Sequence, residues 1–152
     1  MILPYREGTW FAVPLRRGGF GVGVVARATA TGKVILCYFF GPRLDSLLTL
    51  AEVEVLKPGQ AVRAMRVGDL ALIRGEWPVI GHSRIWKRSE WQGPSFIRRE
   101  ELSGWICRVY YSDSDPSVVL REERLLAEDS RTERDALFGS GAAEIVLTEL
   151  LL

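Results

Sequence analysis

Histidine and cysteine are scarce in this sequence. Its 152 residues include one histidine, His82, and two cysteines, Cys37 and Cys107. A structural zinc site needs four ligands at short spacings, and a disulfide scaffold needs several paired cysteines, so the sequence predicts neither. Both cysteines lie within apolar runs, where a thiol packs as a small hydrophobic group and its pKa is raised. An enzyme that pairs either thiol with His82 is therefore a weak hypothesis.

Charge of one sign and long apolar runs are also lacking. Twenty basic residues stand against nineteen acidic ones, and the net charge of +1 gives no overall basic field for nucleic acid. Residues 1–116 carry 16 Lys and Arg and 11 Asp and Glu, whereas residues 117–152 carry 4 and 8, so the C-terminal quarter is acidic. No apolar run approaches the roughly 18–20 residues that span a bilayer, and nothing near Met1 resembles a secretory signal. We therefore expect a cytoplasmic protein.

The sequence indicates no cofactor site and no catalytic residues. FGVGVV at 20–25 has two close glycines but lacks the third glycine and the following helix of a dinucleotide fingerprint. Three acidic pairs are present, Glu100/Glu101, Asp113/Asp115 and Glu122/Glu123. Acidic pairs beside arginines are typical of a solvated face, so we do not interpret them as paired catalytic carboxylates. We expect a protein that is not an enzyme and needs no cofactor or metal.

What the sequence does contain is enough apolar material for one core. Hydrophobic residues make up 47% and charged residues 26% of the chain, which is typical of a globular protein. A chain of this length forms one ordinary domain that buries roughly 70% of its unfolded surface. We therefore predict a single domain over residues 1–152.

Strand patterns dominate this domain. Runs rich in β-branched and aromatic residues at 9–15, 20–30 and 33–40 are separated by short turns, which predicts a three-stranded antiparallel meander ended by Gly41-Pro42. Further strands are predicted at 61–67, at 77–80 and, as a hairpin, at 105–113 and 117–126. Helices are predicted within 44–56, from Thr132 to Gly139, and at 141–152, where a last strand is the alternative. The expected fold is α+β, with a strongly bent, mainly antiparallel sheet, in one version a partly open small barrel, and two or three short helices.

The segment 84–99 is the strongest compositional signal. Regular periodicity is lost between His82 and Gly104, and we expect a long ordered loop held down by aromatic rings. The candidate contact residues in this loop are Arg84, Trp86, Lys87, Arg88, Trp91, Phe96, Arg98 and Arg99.

Three interpretations of these rings and cations stay open. Rings that stack bases, beside cations that meet phosphates, are typical of a small barrel that binds single-stranded nucleic acid. Tryptophan and arginine are also the favoured hot-spot residues of protein–protein interfaces. The same rings can instead be core residues beneath the loop, with each indole N–H finding an acceptor.

Several segments, in order along the chain, resemble one family of bacterial proteins. They are YREGTWFAVPL (5–15), GGFGVGVVAR (18–27), YFFGP (38–42), MRVGDLALIRGEWPVIG (65–81), WKRSEWQGPSFIRR (86–99), RVYYSDSDP (108–116) and GAAEIVLTELL (141–151). The most specific parts are G-x-W-x-V-I-G from Gly75 to Gly81 and W-x-R-x-x-W-x-x-P-x-F from Trp86 to Phe96. On these residues the chain resembles the immunity protein 26 family of polymorphic-toxin systems.

The resemblance implies an antidote. Such a protein would be encoded near a secreted toxin, bind the toxin's domain in the cytoplasm, and protect the producer and its kin in interbacterial competition without enzymatic activity. If the toxin is a nuclease with a basic cleft, the acidic segment 117–135 is the expected docking face, with Glu122, Glu123 and Asp129 as its candidate contact residues. The alternative hypothesis is a small nucleic-acid-binding module that uses the segment 84–99.

Overall fold

The computed structural model describes residues 2–126 and 132–152 of the chain. Within these ranges the strands are β1 (Thr9–Pro14), β2 (Phe20–Arg27), β3 (Val34–Leu44), β4 (Arg63–Gly68), β5 (Val79–His82), β6 (Phe96–Arg99), β7 (Ile106–Tyr111), β8 (Val119–Leu125) and β9 (Leu137–Phe138). The helices are α1 (Leu50–Val53), α2 (Leu70–Ile73) and α3 (Ser140–Leu150), with single 3-10 turns at Pro58–Gln60 and Arg88–Glu90. None of the helices in this described part is long and apolar enough to cross a bilayer.

The larger sheet has the strand order β5-β1-β2-β3-β4-β9. In it β1, β2 and β3 are antiparallel neighbours, with Trp10 opposite Val24 and Val24 opposite Tyr38, so the predicted meander is confirmed. β9 runs parallel to β4. The glycines of FGVGVV lie inside β2, where a Cβ on Gly23 would be 2.5 Å from the ring of Phe11. Gly23 therefore leaves room for the ring on the neighbouring strand.

Both faces of the larger sheet are buried. Residues of α2 and α3 pack on one face, in a core that includes Phe11, Val25, Phe39, Leu72, Trp77 and Leu147. The other face packs against α1 and the segment 84–99, in a core that includes Trp10, Val24, Phe40, Val53, Trp91 and Phe96. Continuous apolar runs in β2 and β3, without alternation, follow from this double burial.

The smaller sheet has the order β6-β7-β8. The outer edge of β6 is covered, because Ile97 donates its N–H to the carbonyl of Glu133 at 2.8 Å and accepts the N–H of Asp135 at 2.7 Å. β8 forms the other edge. Neither sheet closes into a barrel in the described residues, so that version of the prediction is wrong, whereas an α+β domain with mainly antiparallel sheets and short helices is confirmed.

β3 continues through Gly41-Pro42, where the sequence predicted its end. The Gly41-Pro42 peptide is cis, and the strand runs on to Leu44, which lies opposite Phe20 after a register shift. Pairing with β4 stops at Phe39, so the last residues of β3 have a strand partner on one side only. A proline, which has no N–H to donate, is tolerated at such a half-free edge or bulge.

The helix predicted from Thr132 to Gly139 is wrong. Residues 133–135 lie extended beside β6, and β9 follows directly. Glu133 and Asp135 form ion pairs with Arg63 and Arg66 of β4, and these long-range contacts override the local capping pattern. Gly139 is instead the N-cap of α3, so the tail adopts the helical one of its two predicted alternatives.

Other local predictions are only partly correct. The helix predicted within 44–56 is reduced to α1, which Thr49 and Glu52 begin with a capping box. The short helix α2 lies in a segment for which the sequence predicted neither helix nor strand, and the strand β6 lies in the segment predicted to be a long ordered loop. The hairpin of β7 and β8 is confirmed.

Candidate functional site

The aromatic residues in the second half of the segment 84–99 belong to the core. Trp91 is 4% exposed, and its ring meets those of Trp10, Tyr38 and Phe40 edge-on at centroid distances of 5.9, 5.3 and 6.2 Å. Phe96 is also buried and lies edge-on to a tyrosine of β7. A ring surrounded in this way has no face to offer a base or a partner protein. The structure therefore places these two predicted contact residues in the packing of the fold.

Trp86 lies half-buried at the rim of this core. Its ring stacks on Trp91 at a centroid distance of 5.0 Å and an interplanar angle of 21°. The chain passes close beneath it at Gly8, whose φ is +89° and where a Cβ would lie 2.9 Å from Cγ of Trp86. The indole N–H groups of Trp86 and Trp10 are buried without a hydrogen-bond partner in the described residues. Trp86 thus has one ring face already covered.

Arg88 ties the loop to two other parts of the chain. Its Nε donates to Oε1 of Glu7 at 2.8 Å, and its two Nη atoms donate to the carboxylate and the carbonyl of Asp113. The other oxygen of Asp113 accepts from Nε of Arg27, a residue of β2 that is 3% exposed, at 2.8 Å. Hydrogen bonds from Arg27 and then from Arg88 lower the pKa of Asp113. This ion cluster fixes the loop and the β7–β8 turn against β2.

The other cations of the loop do not form a continuous basic strip. Arg84 is exposed and paired with Glu54, whose Oε1 accepts from Nη2 at 2.8 Å, and these hydrogen bonds lower the pKa of Glu54. Lys87 is exposed and makes no ion pair within the described residues. Arg99 lies exposed at the end of β6. Ion pairs at Arg84 and Arg88 therefore interrupt the basic residues of this segment.

The remaining predicted residues come together on the smaller sheet. Arg98 of β6 reaches over β7 to Oε1 of Glu122 in β8 at 2.6 Å. Glu123 lies on the opposite face of β8, where its Oε1 is 3.7 Å from Nε of Arg108 and accepts from the hydroxyl of Tyr110 at 3.4 Å. Asp129 lies outside the described residues. Glu122 and Glu123 are thus part of one structural unit with Arg98, separate from the buried rings of the loop.

β8 presents a surface of which the sequence predicted only Glu122 and Glu123 as contact residues. Six of its seven residues are exposed, so neither face of the strand is buried. The guanidinium of Arg124 lies 3.6 Å from the ring centroid of Trp105, and that of Arg121 lies 4.0 Å from the ring centroid of Tyr110. Trp105 is 49% exposed. We call Trp105, Tyr110, Arg121, Glu122, Glu123 and Arg124 the β8 surface.

The sequence did contain a signal for this surface. The four central residues of VLREERL, from Arg121 to Arg124, are all charged, which leaves no period-two apolar face. A strand that buries neither face and still pairs with a neighbour lies at the edge of a sheet. Trp105, which lies beside this edge strand, therefore has a different environment from the buried Trp91.

A second buried polar cluster holds the smaller sheet on the larger one. Arg66 of β4 is 8% exposed and donates from Nε to the carbonyl of Pro116 at 2.8 Å and from Nη1 to the hydroxyl of Tyr111 at 2.8 Å. The hydroxyl of Tyr111 donates to Asp135. Burial, followed by the contact with Asp135, raises the pKa of Tyr111 to about 12. Each strand of the β7–β8 hairpin is thus anchored close to its turn.

The cysteines and the histidine lie apart. Cys37 is buried in β3, where burial raises the pKa of its thiol, and Sγ of Cys107 lies 3.9 Å from a carboxylate oxygen of Glu100. Nδ1 of His82 is 2.7 Å from Oγ1 of Thr9, and burial, with a contribution from nearby positive charge, lowers the pKa of His82. Neither thiol is within hydrogen-bonding distance of His82 in the described structure. Likewise, no three His, Cys, Asp or Glu side chains converge as metal ligands within residues 2–126 and 132–152.

Comparison with known proteins identifies one family. A family model described as "Immunity protein 26" matches residues 6–107, about two-thirds of the 152-residue chain. The matched residues run from the segment before β1 into β7 and include the whole of 84–99, whereas β8 follows them. No curated protein and no solved structure matches the chain. The protein belongs to the immunity protein 26 family.

Proposed function

We propose that this protein is a cytoplasmic immunity protein of a polymorphic toxin system. It binds the toxin domain encoded beside it and inhibits that domain by protein–protein contact, with no reaction catalysed by the immunity protein itself. Family membership supports an immunity function. The proposal that it acts by protein–protein contact rests on the exposed β8 surface, because aromatic rings and arginines are the residue types that dominate the binding energy of protein interfaces.

The β8 surface suits a partner protein for a second reason. Arg121 and Arg124 are held over Tyr110 and Trp105, so four long or bulky side chains already have fixed positions before binding. Each rotamer-rich side chain that need not be immobilised on binding saves about 0.5–1.5 kcal/mol of ordering free energy. The surface is therefore preorganised for a complex.

The charges of the β8 surface describe the kind of partner it fits. Two arginines flank two adjacent glutamates on β8, so the surface is mixed and not uniformly acidic. A mixed surface selects a partner by matched individual pairs more than by a long-range field. Glu122 and Glu123 remain proposed contacts, now together with Trp105, Tyr110, Arg121 and Arg124.

We do not propose nucleic-acid binding, the alternative hypothesis from the sequence. Trp91 and Phe96 are buried, Trp86 is stacked on Trp91, and Arg84, Arg88 and Arg98 are paired with carboxylates. A single-strand binder needs open ring faces in a basic groove. A labelled oligonucleotide should therefore fail to bind at low ionic strength, where phosphate contacts are strongest.

Co-expression with the neighbouring toxin tests the proposal. The chain should restore growth to cells that produce the toxin domain, and it should co-purify at 1:1 stoichiometry with a toxin domain inactivated by an active-site substitution. A Trp105→Ala variant should weaken the complex by roughly 30-fold or more, the effect of removing a hot-spot residue worth about 2 kcal/mol. Lys87→Ala is the matched control, since Lys87 is exposed and unpaired in the described structure. Growth arrest despite full expression, with no complex, would contradict the proposed function.

A further inference from the structure

Among the described residues, the outer edge of β8 presents unpaired backbone groups. Glu100 donates its N–H to the carbonyl of Trp105 at 2.7 Å, and these two residues continue the register in which Arg98 lies opposite Cys107. Alternate residues of a strand bond to opposite neighbours. Cys107 and Val109 therefore bond to β6, and Arg108 and Tyr110 bond to β8.

The same alternation fixes the direction of the β8 amides. Arg108 and Tyr110 lie opposite Glu123 and Arg121, so these two residues of β8 bond back to β7. Glu122 and Arg124 then turn their N–H and C=O groups away from the sheet. Within the described residues no hydrogen bond reaches these outward groups.

The charged side chains of β8 do not protect this edge. Natural edge strands are commonly blocked by charged side chains or covered by another element. Here Arg121 and Arg124 fold back over Tyr110 and Trp105, and Glu122 and Glu123 reach back toward Arg98 and Arg108. All four charges are thus held over the smaller sheet, and none of these side chains bonds to the outward backbone groups of the edge in the described structure.

The rings of Trp105 and Tyr110 lie on opposite faces of the sheet beside this edge. Tyr110 is directly opposite Arg121 and shares its face. Arg124 is opposite Cys107 and therefore shares the other face with Glu122, as does Trp105, two residues before Cys107. A partner lying flat on one face would reach only one of these rings. A strand added along β8 would lie next to both.

A second copy of this chain matches the edge less well than a segment of another protein can. Two-fold antiparallel pairing of β8 with itself places one residue opposite its own copy. A pairing centred on Glu122 or Glu123 sets two glutamates directly opposite each other at the centre, between flanking Arg–Glu pairs. Like charges directly opposite each other are destabilising in a sheet, and a segment with a different sequence does not have to place one there.

We propose that the toxin domain binds by adding an extended segment to the outer edge of β8, which would make the smaller sheet four-stranded. The inference rests on the proposed function and specifies its contact. Backbone hydrogen bonds from Glu122 and Arg124 would hold the added segment, and Trp105 and Tyr110 would contact its side chains on the two faces.

Amide hydrogen exchange measured by NMR tests this directly. The probe is the inactivated toxin domain encoded beside this chain, added to saturation. The amides of Glu122 and Arg124 should exchange fast in the free protein and slow by at least 10-fold in the complex. The amides of Arg121 and Glu123 are already bonded to β7 and serve as the internal control. A complex in which the outward amides exchange at unchanged rates would overturn the inference and leave the proposed function intact.

Paired substitutions give a second, independent readout. Glu122→Pro removes an outward N–H at an edge position that tolerates proline, whereas Glu122→Ala removes the same side chain and keeps the N–H. Glu122→Pro should bind the toxin domain at least 10-fold more weakly than Glu122→Ala, with matching circular dichroism spectra. Equal affinities would overturn the inference. Should Glu122→Pro fold poorly, the exchange experiment on the unaltered protein decides.

Two other outcomes also decide the matter. Absence of any complex would remove the proposed function and this inference with it. Protection of the outward amides in the free protein that grows with its concentration would assign the edge to a second copy and overturn the inference.

Discussion

Replacing Trp91 with alanine should destabilise the fold without touching the toxin contact. The ring is 4% exposed and has three edge-on aromatic neighbours and one stacked neighbour, Trp86. Its removal leaves a cavity bounded on several sides by other rings, which cannot all collapse into it. The effect should therefore appear in the free energy of unfolding.

The magnitude follows from these contacts. Truncation of a buried tryptophan to alanine costs about 3–5 kcal/mol. Aromatic pairs of this geometry contribute about 0.5–1.5 kcal/mol each beyond the area they bury, which places Trp91 at the upper end of that range. Total stabilities are about 5–15 kcal/mol, so the variant should lose a third or more of its stability. For a domain of this size the Tm should fall by about 10–20 °C.

Urea unfolding followed by far-UV circular dichroism measures the effect, because tryptophan fluorescence would change with the substitution itself. Trp105→Ala is the matched comparison. Trp105 is 49% exposed and stacks with Arg124, and loss of an exposed cation–π contact costs about 0.5–1 kcal/mol. We expect Trp91→Ala to lose stability and Trp105→Ala to lose toxin affinity. An unchanged urea midpoint for Trp91→Ala, together with lost toxin binding, would show that Trp91 is a contact residue.

Three further predictions follow, two for the ion clusters that hold the two sheets together and one for the backbone beneath Trp86. Asp113→Asn should cost about 1 kcal/mol of stability at pH 7, a low value because solvent screens its 65%-exposed side chain. Since Arg27 and Arg88 lower the pKa of Asp113 in the folded state, its stabilising contribution is present above the ordinary carboxyl pKa and is lost as the pH falls through the folded value. The urea midpoints of the wild type and the variant should therefore converge at acid pH. Tyr111→Phe should cost about 1–3 kcal/mol of stability by leaving Arg66 and Asp135 incompletely paired. Because folding raises the pKa of Tyr111 from 10.0 to about 12, this tyrosine ionises at a lower pH in the unfolded chain than in the folded one. The wild type should therefore lose stability from pH 10 to 12 more steeply than the variant. Gly8→Ala should destabilise by more than about 1 kcal/mol, since it needs a positive φ and displaces Trp86, whereas Gly59→Ala, with no heavy atom within 4 Å of its Cβ, should leave the Tm nearly unchanged.

Local patterns in the sequence predicted the elements that are local in the fold. The meander of β1 to β3 and the β7–β8 hairpin connect neighbours through short turns, so apolar runs and turn residues identify them. β6 and residues 133–135 were not predicted as extended structure. Their conformation depends on each other and on the ion pairs of Glu133 and Asp135 with β4, which are about 70 residues away in sequence.

Composition identified a candidate binding segment but could not assign its rings. Tryptophan and arginine suit both cores and interfaces, and 84–99 and the β8 surface contain both types. Burial separates them: Trp91 is 4% exposed and has four aromatic neighbours, whereas Trp105 is 49% exposed and lies against the guanidinium of Arg124. Glu122 and Glu123, which were predicted as contact residues from the acidic segment, lie on the β8 surface. Their negative charge was the reason for that prediction, whereas the open edge of β8 is the reason to keep them as proposed contacts.

The buried ion clusters explain how an exposed edge strand can be a rigid one. Asp113 is held by Arg27 and Arg88, and Arg66 holds Tyr111 and the carbonyl of Pro116, so the turn end of the hairpin is fixed to the larger sheet. At the opposite end of the hairpin, Trp105 is 49% exposed. A strand fixed at one end and stiffened by pairing with β7 loses little conformational freedom when a partner joins its free side. Weakening an anchor, as in Asp113→Asn, should therefore lower toxin affinity, although Asp113 lies outside the proposed contact. A change that restores the bond of this turn to Arg27 and Arg88, and alters nothing on the β8 surface, should recover that affinity.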